Sequence, residues 1–171
     1  SYVEVVKKVR PPFFVMENVK GMMSVAGQVI EDFEHIGYSV SARILNAKDF
    51  GVPQNRERLI YIGNRVGIDN DSVFEEIVAS ADTLGEFVLQ DALFGLRLLV
   101  ASRDRNATEQ SSDASGGKIT RGTGETNAYI DLINQGRAVP IVYNHKARYN
   151  NDRDIEIFGR LNPGDRSDDP K

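Results

Sequence analysis

Two short segments of the chain carry side chains that are suited to chemistry. In the first, Glu17 and Asn18 directly follow the apolar run 13–16. A carboxylate at the end of a buried strand is partly desolvated and could hold a proton for a substrate, because open α/β sheets place their sites at strand ends. The alternative is that Glu17 caps the next turn or pairs with Lys20 on the surface. These residues alone leave both interpretations open.

In the second segment, Gln54, Arg56 and Arg58 alternate along the chain and lead into the apolar run 59–62. Alternate side chains of an extended chain project from the same side, so one amide and two guanidinium groups would face a common partner. Guanidinium groups suit phosphates, carboxylates and the carbonyl edge of a base. The alternative is an ion pair within the chain, with Glu17, Asp49 or Glu57.

The elements that must position these segments follow a strand, helix, strand order. Ser1 can cap a first helix, which Pro11 and Pro12 stop. The unbroken apolar run predicts a parallel strand that is covered on both faces. Apolar spacing then predicts a helix over 24–36 that Gly37 ends, and strands over 38–45 and 58–62. This order is typical of a βαβ unit.

The pattern changes in the second half of the chain. Helical spacing predicts helices over 72–81, over 87–99, near 129–133 and from 151 to about 162. Residues 102–126 are rich in Ser, Thr, Gly and Asp, which predicts a long loop or a disordered segment. We therefore divide the chain near residue 85, into an α/β part and an irregular part.

Composition limits the classes of function. The chain has 171 residues, a formal net charge of −4 and no Cys, which excludes disulfides, thiolate metal sites and a cysteine nucleophile within these residues. The two His lack clustered carboxylates, so no metal site is expected. No apolar run approaches the roughly 18 residues that a membrane helix needs, and we expect a cytoplasmic protein. Any contact with a polyanion would depend on local basic clusters.

Taken together, the two segments resemble the middle of a cytosine-5 DNA methyltransferase. The resemblance rests on Glu-Asn-Val at 17–19 and on Leu-Asn-Ala-Lys-Asp-Phe-Gly-Val-Pro-Gln-Asn-Arg-Glu-Arg at 45–58. It is close over residues 9–63 and looser beyond. It implies an α/β fold, with part of a Rossmann-like methyltransferase sheet in 1–85 and part of an irregular, mixed target-recognition region in 86–171.

The resemblance also implies a reaction, in which a methyl group passes from S-adenosylmethionine to C5 of a cytosine that is flipped out of double-stranded DNA. Attack at cytosine C6 moves electrons onto N3 and O2, so a proton donor at N3 and a cation at O2 lower the barrier. By resemblance, Glu17 acts at N3 and the exocyclic amine, and Arg58 acts at O2. Asn18 would orient the loop around Glu17, while Arg56 and Gln54 would hold the nucleophile loop or the DNA backbone.

Further basic residues could contact DNA phosphates, although a solvated surface explains them equally well. The candidates are Lys118, Arg121, His145, Lys146 and Arg148. For His145, a structural hydrogen bond is the more common role. His35 is expected to face solvent beside Glu31.

The family's cysteine nucleophile and its glycine-rich cofactor turn are absent from these residues. Gly116-Gly117 and Gly122-x-Gly124 lie in a polar stretch with no predicted strand before them, so we expect loops there. S-adenosylmethionine would then be bound mainly by residues outside this segment. We expect an internal segment of a longer enzyme that is inactive alone and needs the remaining part of the methyltransferase, in the same polypeptide or as a split subunit. The longer enzyme would serve either restriction–modification or regulation. The alternative is a non-catalytic subunit or degenerate paralogue that binds DNA or a partner. A Rossmann-like dehydrogenase is disfavoured, because its glycine fingerprint is missing.

Overall fold

The computed structural model describes residues 1–81, 83–103 and 112–168, which form a mixed α/β structure. These residues divide into two compact units, Ser1–Ala92 and Leu93–Lys171. The helices are Tyr2–Val9 (α1), Ala26–Glu34 (α2), Asn70–Ala81 (α3), Leu89–Leu93 (α4), Ala128–Asn134 (α5) and Asp152–Arg160 (α6). The strands are Phe13–Val19 (β1), Ser39–Asn46 (β2), Glu57–Asn64 (β3), Ile119–Arg121 (β4) and Ile141–Tyr143 (β5).

Local signals in the sequence set several of these boundaries as predicted. The Ser1 hydroxyl accepts a hydrogen bond from the Glu4 N–H at the start of α1, and the helix ends before Pro11. Gly37 takes a φ of 87° shortly after α2. Asn151 caps α6 through its side chain. Helix α2 is shorter than predicted, because residues Lys20–Val25 form a 3₁₀ helix in front of it.

The first unit contains a three-stranded sheet in the order β1-β3-β2. Strand β3 runs antiparallel to both neighbours, so β1 and β2 run in the same direction, as a βαβ unit requires, with β3 between them. The prediction that β1 is a parallel strand covered on both faces is therefore wrong. Its partner is antiparallel, and its alternate residues Phe13, Val15 and Val19 are exposed because the helices α1 and α2 pack on one face only.

The covered face of the sheet holds the hydrophobic core of this unit. Phe33, Leu59 and Tyr61 are fully buried there. The Phe14 ring stacks on Phe33 with 4.3 Å between centroids. Phe14 also lies opposite Gly63, where an added Cβ would approach the ring to 2.1 Å. Only glycine leaves room for this ring, so the contact fixes the register of β1 against β3.

Beyond β3, the structure differs in several places from the sequence prediction. Part of the predicted loop 102–126 forms strand β4, which pairs antiparallel with β5, while residues 104–111 of that loop lie outside the described residues. The predicted helix over 87–99 is limited to Leu89–Leu93, because Gly95 takes a φ of 76° and ends it. Helices α3, α5 and α6 agree with their predictions within a few residues.

Candidate active site

The register of β1 and β3 brings the two predicted chemical segments together. Glu17 lies opposite Ile60, and Val19 lies opposite Arg58, so Glu17 and Arg58 are diagonal neighbours on the same face of the sheet. The Arg58 Nε lies 2.7 Å from Glu17 Oε1. The Arg58 side chain is 24% exposed and that of Glu17 is 55% exposed, so the pair opens to solvent on the carboxylate side. Glu17 and Arg58 therefore lie next to each other, and they form the ion pair within the chain that the alternative interpretation proposes.

A second ion pair lies beside the first. Lys20 Nζ contacts both carboxylate oxygens of Glu57 at 3.0 and 2.9 Å, so Lys20 is paired with Glu57 and leaves Glu17 to Arg58. The Arg58 Nη1 donates to the Glu57 carbonyl at 2.8 Å, which holds the guanidinium against its own strand. Two ion pairs therefore connect the end of β1, and Lys20 directly after it, to the start of β3. Both ion pairs are at least partly exposed, so they add little to the stability of the fold and serve mainly to position the side chains.

The pair keeps unused hydrogen-bonding atoms. Among the described residues, Glu17 Oε2 and Arg58 Nη2 have no hydrogen-bond or ion-pair partner, since the contact between the two side chains uses Oε1 and Nε. A planar ligand with adjacent donor and acceptor atoms could therefore meet an acceptor on Glu17 and donors on Arg58. Asn18 stabilises the backbone next to them, since its Oδ1 accepts from the Val19 N–H at 2.9 Å.

The other two members of the Gln-x-Arg-x-Arg motif precede the strand. The Gln54 N–H donates to the Val52 carbonyl at 2.7 Å in a tight turn, and β3 begins only at Glu57. The predicted extended run from Gln54 to Arg58 is therefore shorter than expected, because this turn interrupts it. The side chains of Gln54 and Arg56 are exposed, and within the described residues no ion pair involves Arg56.

One residue at this site was missed by the sequence analysis. Asn46, the last residue of β2, accepts from the Arg56 N–H at 2.9 Å and from the Lys48 N–H at 3.3 Å through Oδ1. Its Nδ2 donates to Asn55 Oδ1 at 2.7 Å. An Asn at a strand end can satisfy backbone groups of a following loop, but the sequence does not reveal that those groups belong to a motif ten residues away.

The predicted DNA contacts lie in the second unit, around β4 and β5. Lys118, Arg121 and Arg148 are exposed, and His145 and Lys146 are partly buried. The His145 Nε2 contacts the Arg97 carbonyl at 2.8 Å, so the ring has a structural partner. Of the five, Arg121 lines a cleft of about 450 Å³, together with Arg97, Ser112, Asp113, Ile119, Thr120 and Ile141. His35 is exposed as expected, and its Nδ1 contacts the Glu31 carbonyl.

The glycine-rich stretches pack against other parts of the second unit. Strand β4 directly precedes Gly122-x-Gly124, so the prediction that no strand comes before this stretch is wrong. The Gly122 N–H donates to the Pro140 carbonyl, and the Thr123 N–H donates to the Gly95 carbonyl. At Gly116 an added Cβ would lie 2.2 Å from the His145 carbonyl, so that glycine allows close packing of the chain on itself.

Two further kinds of site are absent from the described residues. Within 1–81, 83–103 and 112–168, no three His, Cys, Asp or Glu side chains are grouped as metal ligands. None of the helices in these same ranges has the length and apolar character needed to cross a bilayer.

Comparison with a solved structure defines the class of fold. The chain is similar to the crystal structure of a protein described as a DNA modification methyltransferase encoded within a prophage of E. coli, with a TM-score of 0.57 and 22% sequence identity. The likeness covers 94% of this chain and 49% of the other. The α/β part of the chain therefore has the fold of a methyltransferase sheet.

The family follows from the sequence comparison. The family model of the C-5 cytosine-specific DNA methylases matches residues 1–151, and the chain belongs to that family. It is 43% identical over 104 residues to the type II methyltransferase M.BspRI of Lysinibacillus sphaericus, which covers 57% of this chain and 24% of the relative. It is 28% identical over 172 residues to the orphan methyltransferase M.SPRI of Bacillus phage SPR, which covers 95% of this chain and 37% of the relative. The matched regions thus make up only 24% and 37% of the lengths of these two relatives.

Proposed function

We propose that the chain is the base-activating and target-recognising segment of a DNA (cytosine-5) methyltransferase. Its reaction transfers a methyl group from S-adenosylmethionine to C5 of a cytosine flipped out of double-stranded DNA. The observation that carries the proposal is the Glu17–Arg58 pair, which places an acid and a guanidinium 2.7 Å apart on one face of the sheet. Membership of the family supplies the substrate class.

The chemistry of the pair matches what a cytosine ring needs. Nucleophilic attack at C6 moves electron density onto N3 and O2. Glu17 faces N3 and the exocyclic amine, and Arg58 offers its free Nη2 donors to O2. As C6 is attacked, the proton of the Glu17 carboxyl passes to N3 and leaves a carboxylate, while Arg58 donates hydrogen bonds to O2. Both contacts strengthen as negative charge develops on N3 and O2 in the transition state, which is the condition for catalysis.

The remaining motif residues support this pair. Asn18 fixes the backbone after Glu17. Arg56 and Gln54, which are exposed just ahead of β3, hold the nucleophile loop or the DNA backbone. Lys118, Arg121, His145, Lys146 and Arg148 contribute contacts to DNA from the second half of the chain. We place the catalytic part in residues 1–85 and the target-recognition part in 86–171, and the change of compact unit after Ala92 lies close to this division.

The nucleophile and the cofactor pocket belong to other residues of the complete enzyme. S-adenosylmethionine supplies the electrophilic methyl group when bound there. We infer that the isolated chain, which contains no Cys, does not methylate DNA. A tritiated methyl-transfer assay on the isolated chain should give no incorporation above background, and incorporation would refute this inference.

The acid is tested by Glu17→Gln in the complete enzyme. We expect single-turnover methyl transfer to slow by about 100-fold, which is typical of removing a general acid, with DNA affinity unchanged within about twofold. Glu34→Gln, an exposed carboxylate on α2, is the matched control and should leave the rate unchanged. Equal rates for Glu17→Gln and the parent would refute the role at N3. DNA binding by the complete protein without any methyl transfer would favour the non-catalytic alternative.

The guanidinium is tested by comparing Arg58→Ala with Arg58→Lys. Both should slow methyl transfer, and Lys should retain more of the rate because it keeps the charge but loses the planar fork. A circular-dichroism melt controls for folding. If Arg58→Ala unfolds the chain, the ion pair is structural and the role at O2 is not supported.

A further inference from the structure

We infer that Asn46 is a positioning residue for the catalytic motif, and that it acts through Arg56. This inference rests on the proposed function, because it concerns how the motif is held for the methylation of DNA. It arises from hydrogen bonds at the point where strands β2 and β3 separate.

The strand pairing stops at a defined point. Asn46 and Glu57 are the last residue pair of β2 and β3. One further bond continues the ladder, from the Ala47 N–H to the Arg56 carbonyl at 3.0 Å. In a regular antiparallel ladder the Arg56 N–H would return this bond to the Ala47 carbonyl.

The Ala47 carbonyl is used elsewhere. It accepts from the Gly51 N–H at the end of the 3₁₀ helix Ala47–Phe50, and from the Val52 N–H at 3.3 Å. The chain turns away there to form the loop that carries Gln54. The Arg56 N–H therefore loses its regular acceptor, and Asn46 Oδ1 replaces it at 2.9 Å. Both backbone polar groups of Arg56 are thus held by two consecutive residues of the facing strand end.

The residue type fits this task. An Asn side chain combines an acceptor for two backbone N–H groups with a donor on the same short stem. Here the acceptor serves Arg56 and Lys48, and the donor reaches Asn55 Oδ1. Three positions of the loop are therefore tied to one partly buried amide. Leu has a similar size but can make none of these bonds.

This support matters most for Arg56, the motif arginine that has no ion pair among the described residues. The Arg58 side chain is fixed by Glu17 and by the Glu57 carbonyl, independently of Asn46. Arg56 has only its backbone to direct its guanidinium, and Asn46 supplies half of that backbone's bonds. Loss of Asn46 should therefore misplace Arg56 and leave Arg58 in place.

The first measurement uses the chain itself. Amide hydrogen exchange followed by NMR should show the Arg56 N–H exchanging at least about 10-fold faster in Asn46→Leu than in the parent. The Tyr61 amide in the centre of β3 should stay protected, which shows that the sheet remains folded. Asn46→Asp keeps the acceptor, and the Asn55 amide can rotate to donate to it, so this variant should retain the protection of Arg56. Equal Arg56 exchange in Asn46→Leu and the parent would refute the clamp.

The second measurement is a double-variant cycle in the complete enzyme. Asn46→Leu and Arg56→Ala should each slow single-turnover methyl transfer by about 10-fold, a size expected for misplacing a supporting group. The double variant should be slowed by about 10-fold in total, as each single variant is, and not by about 100-fold, because Asn46 acts through Arg56. Asn46→Asp should stay within about threefold of the parent. Multiplying effects, or an unchanged rate in Asn46→Leu, would overturn the inference.

The two proposals fail separately. If Glu17→Gln and Arg58→Ala leave methyl transfer unchanged, the proposed function is wrong, whatever Asn46 does to amide exchange. If those two variants are slow while Asn46→Leu is as fast as the parent, only the inference about Asn46 is wrong.

Discussion

The first compact unit, Ser1–Ala92, buries a cluster of aromatic and aliphatic side chains, whereas the second, Leu93–Lys171, buries mainly polar groups. Phe33, Leu59, Tyr61 and Phe74 are all fully buried in the first unit. In the described part of the second unit, Ser102 and Thr120 are the buried residues other than glycine. Thr120 Oγ1 there accepts from the Gly117 N–H at 3.0 Å and lies 2.8 Å from the His145 carbonyl.

This difference shows how each unit can serve its proposed task. Apolar packing of the first unit fixes the strand register that brings Glu17 to Arg58. A shift of one residue would turn the two side chains to opposite faces. The second unit keeps its exposed basic side chains on a framework of hydrogen bonds, which suits contacts with a charged partner more than a fixed catalytic geometry.

The largest expected effect comes from the apolar core. Phe33→Ala should lower the free energy of unfolding by about 3–5 kcal/mol, because it leaves a cavity among Phe14, Tyr2 and the sheet. Phe158→Ala removes the same ring from an exposed position on α6 and should change it by less than about 0.5 kcal/mol. Urea unfolding followed by circular dichroism measures both. Equal losses would contradict the contrast between the units.

The second prediction concerns the polar framework. Thr120→Val should destabilise the second unit by about 0.5–1.5 kcal/mol, because the Gly117 N–H and the His145 carbonyl lose Thr120 Oγ1 but keep their bond to each other at 3.0 Å. Amide exchange at Gly117 should accelerate, while amides of β3 keep their protection. Thr120→Ser retains the hydroxyl and should preserve protection at Gly117. Slow exchange at Gly117 in Thr120→Val would show that this hydroxyl does not hold the unit.

The third prediction uses a polar atom inside the apolar core. The Tyr61 hydroxyl is buried and, among the described residues, has no hydrogen-bond partner. Tyr61→Phe should therefore raise the free energy of unfolding by up to about 1 kcal/mol. Tyr38→Phe removes a hydroxyl that donates to the Pro11 carbonyl at 2.6 Å and should lower it by about 1 kcal/mol. Urea unfolding should therefore show changes of opposite sign in the free energy of unfolding. A decrease in both variants would mean that the Tyr61 hydroxyl has a hydrogen-bond partner.

The substitution Tyr61→Phe should also change how the free energy of unfolding depends on pH. Burial raises the pKa of Tyr61 above its ordinary value of 10.0. The folded chain then keeps the phenol neutral while the unfolded chain loses the proton, so stability is fully present below pH 10.0 and is lost as the pH rises through the folded value. Tyr61→Phe should remove this part of the alkaline decline, which unfolding midpoints between about pH 9 and pH 12 can measure.

The smallest effect is expected at the start of α3. The Ser72 hydroxyl and the Asp71 N–H hydrogen-bond to the Asp69 carboxylate and hold its pKa below its ordinary value of 3.8. This contribution to stability is therefore present above that value and is lost as the pH falls through the folded pKa. Asp69→Asn should flatten the acid limb of the unfolding midpoint below about pH 4. Identical acid limbs in parent and variant would contradict this role.

The sequence predicted the local features of the fold more reliably than its long-range pairing. Caps and stops such as Ser1, Gly37 and Asn151 act within a few residues, so their types indicate the helix ends. The antiparallel pairing of β1 depends on which distant strand lies beside it. Its register depends on Gly63 making room for Phe14, and neither fact is visible as a periodic pattern. Strand β4 has three residues, too few for alternation to identify.

The same limit applies to the candidate site. Motif spacing and the resemblance predicted that Glu17 and Arg58 would converge, and they lie 2.7 Å apart. Their roles on a base, and those of Asn18, Arg56 and Gln54, stay predictions. The clamp formed by Asn46 could not be predicted, because an Asn at a strand end has several local partners and only the fold selects the Arg56 amide.

A crystal structure of the complete enzyme on duplex DNA that contains its target cytosine tests the central claim most directly. The account predicts one cytosine rotated out of the stack, with the Glu17 carboxyl at its N3 edge and the Arg58 guanidinium at O2, each within about 3.2 Å. A flipped cytosine bound away from these two residues, with the Glu17–Arg58 ion pair still closed, would contradict it.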